Sequence, residues 1–150
     1  MRCEAAACGV AAAAGRGGST DGTMIALMVE DSALVRSRLI PMLAAFSGVR
    51  VVATAASAAE ALLWLRDNRC DLVLLDLALR GDSGLAVLDA LERRRAEAGH
   101  APPLRVVLTN AASDMVRRHC KALGARAVFD KSNELDELFV FLRGEHRALH

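Results

Sequence analysis

The sequence predicts an α/β domain built on a doubly wound parallel sheet. Short apolar runs at 24–29, 49–55, 71–76, 104–109 and 125–129 alternate with segments of helical periodicity. Most of these runs are apolar at successive positions, which is the pattern of strands covered on both faces. A helical segment between each pair of strands makes the sheet parallel, and right-handed crossovers put helices on both sides.

The elements follow in order. "MIALMV" (24–29) is a buried strand. A helix runs from about Ser32 to Phe46, with Val35, Leu39, Met42, Leu43 and Phe46 along one side. Pro41 lies within it and is expected to kink it or perturb its first turns. "VRVVATA" (49–55) is the second strand, and Ser57 with Glu60 forms a capping box for the second helix. Leu62, Leu63 and Leu65 give that helix its apolar side. "DLVLLD" (71–76) is the third strand, followed by a loop and a helix from about Gly84 to Ala98. Pro102 and Pro103 break the chain before "LRVVLT" (104–109). A helix from about Ser113 to Leu123 stops at Gly124, a suitable cap. "ARAVF" (125–129) is a short fifth strand, and 133–142 is the last helix, with Leu135, Leu138, Phe139 and Leu142 inward.

Residues 24–143 therefore form one domain. Residues 1–23 read as a disordered Ala/Gly-rich leader, and 144–150 as a short tail. Glu4 and a short charged start argue against a signal peptide, and Met24 is an alternative start of translation. The chain has 150 residues, 53% hydrophobic and 25% charged, which suffices for a packed core. A formal net charge of +1 gives no electrostatic case for binding nucleic acid or an anionic membrane. Cysteines at 3, 8, 70 and 120 match no metal or redox spacing, so reduced thiols in a cytoplasmic protein are expected. The four histidines show no ligand spacing and read as surface residues.

Ligands of open parallel sheets bind beyond the carboxyl ends of the strands. The first strand ends at Glu30 and Asp31, the third at Asp76 and the fourth at Thr109, and the fifth is followed by Asp130 and Lys131. Glu30, Asp31 and Asp76 are thus expected at one rim with a hydroxyl and an amine. Two carboxylates ~4 Å apart repel by about 4 kcal/mol at an effective dielectric of 20. Lys131 can offset one charge, and a divalent ion with oxygen ligands such as Mg²⁺ the rest. An aspartate held against both is a credible nucleophile toward phosphorus, with Thr109 bonding a phosphoryl oxygen.

In this arrangement the chain resembles the response-regulator receiver domain of two-component signalling, in its stand-alone, chemotaxis-type form. The resemblance covers residues 24–143. "VEDS" puts Glu30 and Asp31 at the family's metal-binding carboxylates. "LLDLALRGDSGL" puts Asp76 at the phosphoacceptor and Gly84 at the glycine after the loop. "VVLTN" supplies Thr109 and "VFDKS" supplies Lys131. The resemblance implies a flavodoxin-like (βα)5 fold with strand order 2-1-3-4-5. It implies Mg²⁺ held by Glu30, Asp31, Asp76 and the backbone carbonyl of Ala78. The phosphoryl donor is then a sensor histidine kinase or a histidine phosphotransfer protein, and the output a protein target. Such a phosphoprotein catalyses only its own Mg²⁺-dependent phosphorylation and dephosphorylation. Arg80 and Ser132 stand where prolines are common in the family, and Val128 stands at its aromatic switch position, with Phe129 one residue on.

Other readings compete. A receiver-like interaction module that is never phosphorylated would not need the full set of Glu30, Asp31, Asp76, Thr109 and Lys131. A phosphatase of the haloacid-dehalogenase type would need a second aspartate where Ala78 stands. A dinucleotide fold would need a glycine loop between strand and helix, whereas "GRGG" (15–18) lies in the leader. The length leaves no room for a helix-turn-helix, so direct DNA binding is not expected.

Overall fold

The computed structural model describes residues 22–79, 81–98 and 102–149. Nearly all of the leader, with Cys3 and Cys8, lies outside them, as do Arg80, His100 and His150. Five parallel strands form the sheet: β1 (Met24–Val29), β2 (Val49–Ala55), β3 (Leu72–Leu75), β4 (Leu104–Thr109) and β5 (Ala127–Asp130). Their spatial order is β2-β1-β3-β4-β5, the doubly wound order expected from the sequence. The helices are α1 (Ala33–Ser47), α2 (Ala58–Asp67), α3 (Leu85–Ala98), α4 (Asp114–Ala122) and α5 (Leu135–Leu149).

The strand residues are apolar at both parities because the sheet has a core on each face. Ala26, Met28, Leu72, Leu74, Val106 and Leu108 pack with Leu39 and Leu43 of α1 and with Leu138, Phe139 and Leu142 of α5. Leu27, Val29, Val73, Leu75, Val107 and Val128 face α2, α3 and α4 through Ala61, Leu88, Leu91 and Cys120. Burying an aliphatic side chain contributes about 1.5–3 kcal/mol, so the two layers together fix which helix covers which face.

Several local expectations hold and some fail. Ser32 caps α1 by accepting from Val35 N–H at 3.2 Å, and the helix continues through Pro41, which lies on its solvent side. Ser57 accepts from Glu60 N–H at 3.1 Å, while Glu60 reaches back to Ala56 N–H at 3.0 Å. Phe46 and Leu63, expected inside, are exposed. Phe46 instead packs against Phe139 in a tilted arrangement with ring centroids 5.4 Å apart. The loop after Asp76 contains a two-residue antiparallel pair, 78–79 with 82–83, that is too short to show a pattern in sequence.

The largest correction is at the carboxyl end. Residues 144–149, read from sequence as a tail, continue α5. Gly144 costs that helix about 1 kcal/mol, and tertiary contacts offset it. Arg143 donates to the Phe46 carbonyl at 2.6 Å, and Glu145 pairs with Arg126 at 3.4 Å. His146 is half-buried, not a surface residue, and its ring bonds the Gly22 carbonyl.

Arg105 is a charged residue inside the β4 run, and it is buried. Its guanidinium pairs with Glu92 of α3 at 3.1 Å. Gly124 leaves the space: a Cβ there would lie 2.4 Å from Arg105 Nη1, and its φ of +98° disfavours other residues. Hydrogen bonds from Arg95 and then Arg105 pull the Glu92 carboxyl down to about 2. A depressed acid stabilises the fold above its unfolded pKa, so this contribution is complete above about pH 4.5 and is lost as pH falls toward 2. An NMR titration of Glu92 is expected to show that midpoint, rising toward 4.5 in Arg105→Met. A midpoint unmoved by the substitution would remove Arg105 from the account.

Candidate functional site

Parallel strand pairing carries the polar residues to one edge. Glu30 N–H donates to the Ala55 carbonyl at 2.9 Å, and Asp76 N–H to the Val29 carbonyl at 2.9 Å. Lys131 N–H donates to the Thr109 carbonyl at 3.0 Å. The ladders thus extend one residue past the strands, with the backbone of Asp76 beside that of β1 and the backbone of Lys131 beside Thr109 of β4. Glu30, Asp76 and Thr109 are buried, while Asp31 and Lys131 are half-buried.

Lys131 does more than offset one charge, as the sequence suggested. Its Nζ lies 2.7 Å from Glu30 Oε1 and 2.8 Å from Asp76 Oδ2, so one ammonium bridges two buried carboxylates. The second Glu30 oxygen accepts from Ser32 N–H at 3.1 Å. Among the described residues, Asp76 Oδ1 accepts a 3.2 Å bond from Ala78 N–H. Burial, with the neighbouring Asp76 charge, raises the Glu30 pKa against the opposing bonds from Lys131 and Ser32. Burial works against the Lys131 ammonium as well, but its bonds to Asp76 and Glu30 outweigh this and raise its pKa. The amine is therefore held charged between the two acids.

One oxygen from each of Glu30, Asp31 and Asp76 lies within 4.8 Å of the others. Hard carboxylate oxygens at this spacing fit a small divalent cation such as Mg²⁺. Ala78 follows directly in the short hairpin, and its N–H is already on Asp76.

The loop beyond Asp76 is clamped from two directions. Gly84 N–H donates to the Leu77 carbonyl at 3.0 Å, and the Asp82 carboxylate accepts from Ala58 N–H at 3.1 Å, tying the loop to the start of α2. Sequence gave no signal for Asp82, whose partner is 24 residues away. A Cβ on Gly84 would lie 2.1 Å from the carbonyl oxygen of Asp76 itself. Gly84→Ala must therefore move the backbone that carries the carboxylate. We expect it to cost about 1–3 kcal/mol, the usual range for overpacking, measured by urea unfolding. An unchanged midpoint would show that the loop yields freely.

Thr109 accepts from Ala111 N–H at 3.2 Å and so anchors the loop that leads to α4. Val128 pairs in register with Val107, on the same sheet face as Thr109, and is buried. Phe129 points to the other face, where it packs on Phe141 with centroids 5.6 Å apart. No ring of β5 lies beside Thr109, because strand alternation sends Phe129 away.

The carboxylate site is a rim, not a cavity. A groove of about 1000 Å³ lies at the opposite end of the strands, along Asn68–Asp71, Pro102 and Pro103, and includes none of the converged residues. No helix among the described residues is long and apolar enough to cross a membrane.

A family model described as the response regulator receiver domain matches residues 26–143. The sensor histidine kinase AruS of Pseudomonas aeruginosa is 37% identical over 112 residues, which make up 75% of this chain and 11% of the kinase. The chain thus spans about a tenth of that curated relative. The response regulatory domain of protein mrkE from Klebsiella pneumoniae superposes with a TM-score of 0.71 at 19% identity, covering 83% of this chain and 97% of that one. This is a likeness of fold. The phosphorylated cyanobacterial phytochrome response regulator RcpA gives a TM-score of 0.63 at 27% identity, covering 82% and 91% of the two chains.

Proposed function

Because the chain belongs to the response regulator receiver domain family, we propose that Asp76 is its phosphoacceptor and that the protein signals through the phosphorylated state. The observation that carries this reading is the Lys131 bridge between Asp76 and Glu30. It sets an ammonium against a buried carboxylate at a strand end, whose Oδ1 accepts a 3.2 Å bond from Ala78 N–H.

In the reaction, an Asp76 oxygen attacks the phosphorus of a phosphohistidine. A P–O bond forms, the P–N bond breaks, and the leaving imidazole nitrogen takes up a proton. Lys131 lies against Asp76 and balances charge developing on the phosphoryl oxygens, while the Thr109 hydroxyl serves as a donor to one of them. Glu30, Asp31, Asp76 and the Ala78 carbonyl would hold Mg²⁺, which when bound supplies further neutralisation of phosphoryl charge. An open rim suits this chemistry, since the phosphoryl group arrives on a protein side chain rather than in a diffusing substrate. The donor class is a sensor histidine kinase or a histidine phosphotransfer protein, and the receiver itself would act in the cytoplasm. The downstream partner is a protein that reads the altered surface.

Incubation with acetyl phosphate and Mg²⁺ tests the reading. The intact mass is expected to rise by about 80 Da, one phosphoryl group, with the modification mapping to Asp76 and absent in EDTA. No gain from any phosphodonor would leave the chain an unphosphorylated interaction module.

A further inference from the structure

Arg117, on α4, joins three elements through one guanidinium. Its Nε donates to the Ala112 carbonyl at 3.1 Å, in the loop after Thr109. Its Nη1 donates to the Val128 carbonyl at 2.7 Å, on β5. Its Nη2 donates to Glu134 Oε1 at 2.8 Å, in the turn before α5. That same Glu134 oxygen accepts from Asp130 N–H at 2.8 Å, beside Lys131. The Arg117 bond, foremost, holds the Glu134 carboxyl below its usual range.

The loop 110–113 is therefore held at both ends. Thr109 Oγ1 takes Ala111 N–H on one side, and Arg117 takes the next carbonyl, that of Ala112, on the other. A guanidinium is planar and rigid, so three bonds to it fix three partners relative to one another. A loop that shifts must carry the guanidinium with it or break a charge-assisted bond.

We infer that Arg117 is a positioning residue that couples the state of Asp76 to the start of α5, through Ala112 on one side and Glu134 on the other. The inference rests on the proposed phosphorylation of Asp76. When the Thr109 hydroxyl turns to a phosphoryl oxygen, its bond to Ala111 N–H is strained and the loop moves. Ala112 then pulls on the fork, and Glu134 with Asp130 N–H follows. Val128 takes part through its carbonyl, and its aliphatic side chain stays in the core.

Hydrogen exchange read by mass spectrometry, with and without acetyl phosphate and Mg²⁺, tests this on the full chain. In the wild type, exchange is expected to change in both 110–117 and 130–138, by about fivefold or more, the lower end of ordinary coupling. In Arg117→Met the mass gain and the change at 110–113 should persist, while the response at 130–138 falls away. Arg117→Lys should behave the same way, because one ammonium cannot hold three partners in a plane, and it serves if the methionine variant folds poorly. A response at 130–138 equal to wild type in both phosphorylated variants would overturn the coupling and leave the phosphoacceptor standing. A wild type that gains no mass would overturn both.

Discussion

Asp76→Asn is expected to take up no phosphoryl group while remaining folded. The amide matches the carboxylate in shape, but its nitrogen lone pair is delocalised and its oxygen carries no net charge, so it is a poor nucleophile toward phosphorus. The rest of the site should survive. Lys131 keeps its 2.7 Å bond to Glu30, and Asp76 N–H keeps the Val29 carbonyl because that bond is made by the backbone. Glu30 also loses a like-charged neighbour that pushes its pKa up. Loss of the mass gain with a melting temperature near wild type would therefore be a chemical effect, not a structural one. Undiminished labelling in the variant would remove Asp76 from the reaction.

Lys131→Met should be the most damaging single change to stability at this site. Methionine matches the stem of lysine but leaves Glu30 and Asp76 buried and facing each other without a counterion. Removing one partner of a buried ion pair costs about 3–5 kcal/mol. Urea unfolding at neutral pH should show a loss of that order. Mg²⁺ should recover part of it, because a cation held by Glu30, Asp31 and Asp76 replaces the missing positive charge. At 100 times its dissociation constant, ligand linkage gives about 2.7 kcal/mol. The wild type should gain as well, since such a cation would draw on one oxygen from each of the three carboxylates. A loss below about 1 kcal/mol would show that water reaches the pair and screens it. Equal stability with and without millimolar Mg²⁺ in both proteins would exclude a cation from this cluster.

The sequence by itself determined the sheet, its parallel sense and the rim where chemistry gathers. Apolar runs such as Leu72–Leu75 are legible because both faces of the strand are covered, so no polar residue interrupts them. The positions just past those runs are legible for the opposite reason. Glu30, Asp76, Thr109 and Lys131 stand where the strand leaves the core, and a polar residue there costs little only if it has partners.

Only the tertiary structure decided who those partners are. Lys131 is 101 residues from Glu30 and 55 from Asp76, and nothing local in the sequence specifies that one ammonium bridges both. The reach of Arg117 to Val128 and Glu134 and the cap supplied by Asp82 also join separate elements, and they form only where those elements pack together. The last turns of α5 are a further case. Periodicity ends with Leu142, yet Arg126, Phe46 and Gly22 lie where Glu145, Arg143 and His146 can bond them. Local pattern reports which side of an element is apolar. The pairing of polar atoms requires segments far apart in the chain to meet within about 3 Å, and such contacts exist only once the layers have packed.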